Sequence, residues 1–268
     1  MLSVPMPPPV ADTVASVGVL PTFVAQDYGR YTDEDQDVWH TLVRRRLAAL
    51  ESTASRVFLD GVDRIGLAPD RVPDLDDVNR RLAPVTGWSA VGVEGFIPAA
   101  QFFACLAARR FPTTLAVRPR AQIDYVPEPD IFHDVFGHVP LHADRAFGDF
   151  LQRFGTLAAA ARTEAESTAM ARLFWFTVEF GLVREAGATR IYGSGLISSQ
   201  GDAENALSSA CDRRPFALDD VIRQPFEIDR LQPVLFVVDS FHQLFDAVET
   251  LSRRRGAEEA PDDPEVAR

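Results

Sequence analysis

The sequence contains no lysine: all 27 basic residues are arginines, against 39 acidic residues, and the formal net charge is -12. This acidic balance disfavours nucleic acid or an anionic membrane as the main partner. The only two cysteines, Cys105 and Cys211, are too few for a disulfide framework and fit no cysteine-based zinc motif. Neither a secretory leader nor an unbroken apolar run of about 18 residues is found. We therefore expect a cytoplasmic protein.

The composition is that of one globular domain with short flanking arms. Of the 268 residues, 46% are hydrophobic, which is enough for a sizeable core. Residues 1–22 are rich in proline and small residues, which predicts a loose arm. Residues 256–268 are acidic and predict a disordered tail, so the folded domain is expected over 23–255.

Hydrophobic spacing predicts a mainly helical fold with small β pieces. Thr32 is expected to cap a first helix, and Pro98 to begin one that carries several phenylalanines. Further predicted elements include helices over 130–137, 144–157, 163–184 and 240–254, strands over 114–117 and 234–238, and an extended, glycine-broken stretch over 189–198.

Three of the five histidines lie close together, at His133, His138 and His142. On a straight α-helix, a step of five residues rotates by about 140°, so His133 and His138 would not face one ion. Gly137 and Pro140 bracket His138, and we expect them to bend or end the helix and bring the second imidazole round. His142 has the better helical spacing from His138, but Pro140 between them disfavours a regular helix. Two packed core histidines remain the alternative.

A single carboxylate, Glu179, stands inside an aromatic run over 174–182. A buried carboxylate must be paired, protonated or bound to a metal. It either forms a salt bridge, to Arg172 or Arg184, or completes a metal site with the two histidines. Two histidines and one carboxylate form the facial triad of non-haem Fe(II) oxygenases, which leaves coordination positions open. A zinc hydrolase can use the same residue types, but the His-Glu-x-x-His motif is absent.

Three motifs carry a resemblance to a known family. Residues 127–141, 174–182 and 192–199 resemble the pterin-dependent aromatic amino acid hydroxylases, most of all their bacterial phenylalanine 4-monooxygenases. The resemblance extends over about 31–251. It implies a single helical-basket catalytic domain that binds Fe(II) and a tetrahydropterin.

The resemblance also implies roles for individual residues. It makes iron ligands and catalytic residues of His133, His138 and Glu179. It places at the pterin Gly95, Ile97, Phe102, Asp134 and Ala171. It places at the amino acid substrate Arg118, Asp130, Trp175, Phe180, Gly195 and Ser198.

The activity implied is hydroxylation of the ring of a free aromatic amino acid, with L-Phe to L-Tyr first. Hydroxylation of Phe at the meta position, hydroxylation of Trp, and a non-catalytic metal-binding homologue are the alternatives. The expected partners are small molecules, namely the amino acid, O2 and the pterin, and the chain is expected to be a monomer.

Overall fold

Helices dominate the computed structural model, which describes residues 19–124, 126 and 128–258. The predicted arm over 1–18 and tail over 259–268 lie outside the described residues. The α-helices are α1 Asp33–Leu50, α2 Arg56–Ile65, α3 Leu75–Thr86, α4 Ala99–Ala107, α5 Arg145–Ala159, α6 Glu164–Phe174, α7 Ser194–Ser198, α8 Gln200–Leu207, α9 Leu218–Val221 and α10 Phe241–Glu258.

Two π-helices and two small sheets complete the fold. The first π-helix is Phe132–His138 and the second is Trp175–Glu179, and a 3₁₀ turn, Val139–Ala143, follows the first. The strands are β1 Phe23–Val24, β2 Ser89–Val93, β3 Arg110–Thr114, β4 Leu182–Glu185, β5 Ala188–Ile191, β6 Asp212–Pro215 and β7 Val234–Val238. One sheet has the order β1-β2-β3 and the other β5-β4-β7-β6.

Local signals in the sequence explain where several helices begin. The Thr32 side chain accepts from the Asp35 backbone N–H, and Asp35 in turn bonds the Thr32 backbone, so a full capping box opens α1 as expected. Pro98 is the N-cap residue of α4. The final helix continues to Glu258, three residues past the predicted end of the catalytic domain.

The expected strand over 114–117 was wrong. The strand lies earlier and ends at Thr114. It pairs in parallel with β2, from Ser89 opposite Arg110 to Val93 opposite Thr114. After it the chain turns away from the sheet, and Ala116 O accepts a hydrogen bond from Ile131 N at 2.9 Å. This turn carries the chain towards the first π-helix.

The expected single helix over 163–184 was also wrong beyond Glu179. Gly181 breaks it: a Cβ there would lie 2.1 Å from the Tyr192 ring and 2.2 Å from Thr177 O. Leu182 then begins β4, which pairs with β5 and β7. The expected extended stretch over 189–198 is correct only to the end of β5 at Ile191, because α7 begins at Ser194.

The hydrophobic core surrounds the two π-helices. Trp39 of α1 and Phe58 of α2 meet the first π-helix edge-on at Phe132 and Phe136. Helix α5 packs between α4 and α10. Among the residues that the structure describes, no helix has both the length and the apolar character that crossing a bilayer requires.

Candidate metal centre and cofactor cavity

Three side chains that are distant in sequence converge at the centre of the fold. His133 Nε2 lies 3.3 Å from His138 Nε2, and His138 Nε2 lies 3.3 Å from Glu179 Oε1. Glu179 Oε2 lies 3.8 Å from His133 Nε2. All three side chains are buried, and one ligand atom from each fits within 4.8 Å of the others. A single ion placed among them would contact all three.

The π-helical backbone is what makes this convergence possible. In a π-helix the hydrogen bonds join residues five apart, so His133 and His138 return to nearly the same face. The bend expected from Gly137 and Pro140 is therefore not the cause of the alignment. Glu179 closes the second π-helix, so all three side chains come from π-helical segments, which are often found at functional sites.

The protonation states at this centre suit a metal cation. Burial lowers the pKa of His133 to about 4, although the Glu179 charge opposes this. Burial acts to raise the pKa of Glu179, but His138, His133 and Ser194 together bring it below its ordinary value. At neutral pH the site then offers a neutral imidazole and an ionised carboxylate, the forms that bind metals. The donor set fits Fe(II).

Helix α7 supports two of the three side chains through hydroxyl groups. Ser198 Oγ donates to Ser194 O at 2.8 Å and therefore accepts from His133 Nδ1, also at 2.8 Å. The proton thus lies on Nδ1, and the Nε2 lone pair faces the other ligands. Ser194 Oγ donates to Glu179 Oε2 at 2.7 Å.

A buried arginine fixes α7 from the opposite side. Arg46, 5% exposed on α1, donates from Nε to Ile197 O at 2.8 Å and from Nη2 to Leu196 O at 3.0 Å. These carbonyls near the C-terminus of α7 lie among those that a short helix leaves without intrahelical partners. Arg46 connects the first helix of the domain to the support of the metal centre.

A buried ion pair lies beside the first π-helix. Arg118 donates to Asp130 through Nε at 2.8 Å and through Nη2 at 2.9 Å, and neither residue is more than 3% exposed. The same carboxylate accepts from the His133 backbone N–H at 3.0 Å. Asp130 therefore connects Arg118, which is predicted to bind the substrate carboxylate, to the start of the first π-helix.

An open cavity leads to the three side chains. Its wall is mostly apolar, with the polar groups at its inner end. The lining residues are Val93, Gly95, Phe96, Ile97, Phe102, Phe103, Phe111, Pro112, Thr114, Pro129, His133, Asp134, His138, Phe174 and Glu179. A flat heterocycle would have aromatic faces beside it and polar groups near the metal, so the cavity fits a pterin.

Four of the five predicted pterin residues line this cavity. Gly95 has a φ of +62°, a conformation that favours glycine, and it leaves the backbone accessible beside Ile97. Phe102 is half-buried and meets Phe174 edge-on. Burial raises the pKa of Asp134 to about 7, although Thr114 N donates to this carboxylate at 2.7 Å. Ala171 lies on α6 and is not among the lining residues.

None of the six predicted substrate residues is among the residues that line the cavity. Trp175 is fully buried and stacks on Phe226 at 4.5 Å, and its other ring contact is Phe180 at 4.6 Å. A Cβ on Gly195 would lie 3.1 Å from both Glu179 O and the Phe180 ring, so this glycine provides room there.

Among the site residues that sequence reasoning missed are Ser194, Arg46 and Phe111. Phe111 packs its ring 4.6 Å from that of His138. A lone serine, a third arginine in a row and a phenylalanine carry no spacing signal.

The comparisons with known proteins agree with this geometry. The model of the biopterin-dependent aromatic amino acid hydroxylases matches residues 27–255. The phenylalanine-4-hydroxylase of Mesorhizobium japonicum is 44% identical over 229 residues, which are 85% of this chain and 82% of that protein. A crystal structure of phenylalanine hydroxylase from Chromobacterium violaceum, with iron(III) and 7,8-dihydrobiopterin, has a TM-score of 0.83 and 40% identity, covering 90% of this chain and 91% of that one. A cobalt-bound structure of the same enzyme has a TM-score of 0.81 and 39% identity, covering 87% and 84%.

Proposed function

The chain belongs to the biopterin-dependent aromatic amino acid hydroxylases, and we propose that it converts free L-phenylalanine to L-tyrosine. It is an enzyme that uses iron and a pterin cofactor. The observation that carries the proposal is the convergence of His133, His138 and Glu179 at the end of a cavity shaped for a flat heterocycle.

In this proposal the three side chains hold Fe(II) on one face. When bound, the iron and the tetrahydropterin activate O2 for transfer of one oxygen atom to the substrate ring. The chain itself binds and orients the amino acid and the cofactor, and it excludes water from the site. His133 is held by Ser198, and Glu179 by Ser194, so neither ligand has to reorient when the metal enters.

The pterin is proposed to lie in the open cavity. The Phe102 ring would offer an apolar face to the pterin, and the backbone at Gly95 and Ile97 would offer it hydrogen-bonding groups. The Asp134 carboxyl, with its pKa near neutrality, can accept or donate a hydrogen bond there. Ala171 is assigned a place beside the pterin by the family resemblance alone.

The amino acid is proposed to bind through its carboxylate to Arg118. Because Asp130 occupies Nε and one hydrogen of Nη2, the guanidinium is held in a fixed plane with Nη1 available for a second acceptor. Among the residues that the structure describes, the hydrogen-bond partner of Nη1 is Ile123 O, at a long 3.4 Å. The substrate ring would lie near Trp175 and Phe180, with Gly195 and Ser198 beside it.

A cytoplasmic monomer completes the proposal. Both cysteines are free and buried in the structure, which agrees with a reducing compartment. Light scattering on the purified protein should give the mass of one chain, 29.6 kDa. A mass of twice that value would contradict the monomer and leave the activity unaffected.

The direct test is product identification. The purified protein is incubated in air with Fe(II), a tetrahydropterin and either L-Phe, L-Trp or L-Tyr, and the products are identified by mass spectrometry and chromatographic standards. Tyrosine from L-Phe, dependent on both iron and pterin, is expected. meta-Tyrosine, or turnover of L-Trp alone, would contradict the proposed substrate or ring position. No product from any of the three would contradict the proposed activity.

A further inference from the structure

The Ser194 hydroxyl lies against one of the proposed metal ligands. It is fully buried and 2.7 Å from Glu179 Oε2, and Val178 O, at 3.3 Å, is the more distant acceptor. A serine hydroxyl has a single proton to donate, so the nearer, charged oxygen takes it. Ser194 is therefore placed to act on the carboxylate and not only on the local backbone.

The two oxygens of this carboxylate have different surroundings. Oε1 lies 3.3 Å from His138 Nε2 and Oε2 lies 3.8 Å from His133 Nε2, but only Oε2 accepts the hydrogen bond from the Ser194 hydroxyl among the described residues. A carboxylate can bind a metal through one oxygen or through both. A hydrogen bond to one oxygen reduces its electron density for a metal and fixes the rotation of the group.

We propose that Ser194 is a positioning residue that makes Glu179 bind the metal through Oε1 alone, keeping a coordination position free for the reactants. This inference rests on the proposed metal site. It assigns to Ser194, for Glu179, the same kind of task that Ser198 has for His133.

The support is rigid enough for such a task. Arg46 holds the C-terminal end of α7 through two carbonyls, and Gly137 lies so close that a Cβ there would be 3.2 Å from Ser194 O. A Cβ on Gly193 would lie 2.4 Å from Glu179 O. These close approaches pack α7 and the residue before it directly against both π-helices.

The test measures metal binding and coordination without turnover. Wild type, Ser194→Ala and Ser194→Cys are freed of metal and titrated with Co(II), which the Chromobacterium violaceum relative binds. Affinity is obtained by competition with a chelator, and coordination number from the intensity of the visible cobalt bands. Circular dichroism and thermal melting of the metal-free proteins establish that each variant is folded.

Ser194→Ala should bind Co(II) on the order of 10-fold more weakly, as expected for the loss of an outer partner of a ligand. Its visible bands should lose intensity, because a freed Oε2 adds a coordination bond. Ser194→Cys, a weaker donor of similar size, should fall between Ser194→Ala and wild type. Ser199→Ala, which removes the cap hydroxyl of α8, should lower the melting temperature and leave both cobalt readouts unchanged.

Two results would overturn the inference in different ways. If the wild type binds Co(II) and folded Ser194→Ala has the same affinity and spectrum, the role of Ser194 fails and the metal site stands. If the wild type binds no Co(II), the proposed metal site fails and the role of Ser194 fails with it.

Discussion

His133 and His142 are both fully buried, yet their surroundings differ in every respect that matters for metal binding. His133 has its Nδ1 bonded to Ser198 and its Nε2 directed at two other ligands. His142, in the 3₁₀ turn, stacks on Trp88 at 4.7 Å, and neither of its ring nitrogens has a hydrogen-bond partner among the described residues.

The difference shows that burial and clustering of histidines do not by themselves identify a ligand. For His133, the partner on the far nitrogen sets the tautomer and aims the near nitrogen at Glu179 and His138, whereas His142 has no such partner among the described residues. His142 is four residues after His138, the spacing that an α-helix would favour, but it belongs to an aromatic cluster with Phe111 and Trp88. The Glu179 and His142 predictions test the two sides of this comparison, and the Arg118 and Arg46 predictions test residues that surround the His133 side.

The largest effect is expected from Glu179→Ala. Removing a ligand should cost more than the ~100-fold in metal binding or activity that an outer partner costs at most, so hydroxylation should be lost. Iron content and tyrosine formation are measured, with circular dichroism to verify the helical fold. His142→Leu is the matched control and should keep both iron and activity. Unchanged activity in Glu179→Ala would end the assignment of the metal centre.

Arg118→Ala should weaken binding of the amino acid substrate and leave metal binding unchanged. Loss of a hydrogen bond to a charged group costs roughly 1.5–3 kcal/mol, so the Michaelis constant for the amino acid should rise by about 10- to 100-fold. The variant also leaves Asp130 buried without its partner, so assays are run well below its melting temperature. An unaltered Michaelis constant would remove Arg118 from the substrate site.

Arg46→Met should weaken the support of the metal centre. It leaves two carbonyls of α7 without their donor, at a cost of about 1–3 kcal/mol each in unfolding free energy. Urea unfolding measures this loss. Arg45→Met is the matched control, because Arg45 is exposed and its ion pair with Asp124 contributes about 0–1 kcal/mol. Equal losses of unfolding free energy in the two variants would show that Arg46 contributes no more to stability than an exposed arginine does.

The smallest effect is expected from His142→Leu, and it depends on pH. Burial, with a smaller contribution from His138, lowers the pKa of His142 well below its ordinary value. Below about pH 6.5 the unfolded chain binds a proton here that the folded chain does not, so the wild type loses stability as the pH falls. His142→Leu has no titrating group at this position, so its stability does not fall for this reason as the pH is lowered. Between pH 7.5 and 5.5 the difference in unfolding free energy should change by about 1.4 kcal/mol in favour of the variant. Parallel pH profiles would contradict the lowered pKa.

Much of the fold could be predicted because its signals are local. The cap at Thr32, the proline before α4 and the apolar run at Val234–Val238 lie within the elements that they determine. The end of the long predicted helix was missed although Gly181 is a local signal for it, because the close contacts of this glycine with Thr177 and Tyr192 appear only in the fold.

The same contrast holds at the site. The candidate ligands His133, His138 and Glu179 were predicted from the clustered histidines, the lone carboxylate in an aromatic run and the family resemblance together, and the set remains a prediction. Its geometry did not follow, because a step of five residues faces one ion only in a π-helix, and no residue type marks that backbone. Ser194 and Arg46 act across packed elements, and such contacts leave no trace in spacing.

Anomalous diffraction at the iron edge, from crystals reconstituted with Fe(II), tests the central claim most directly. One strong peak should lie about 2 Å from His133 Nε2, His138 Nε2 and a Glu179 oxygen. No peak should lie near the His142 ring. An iron peak at any other position, or one out of bonding reach of any of the three side chains, would contradict the account.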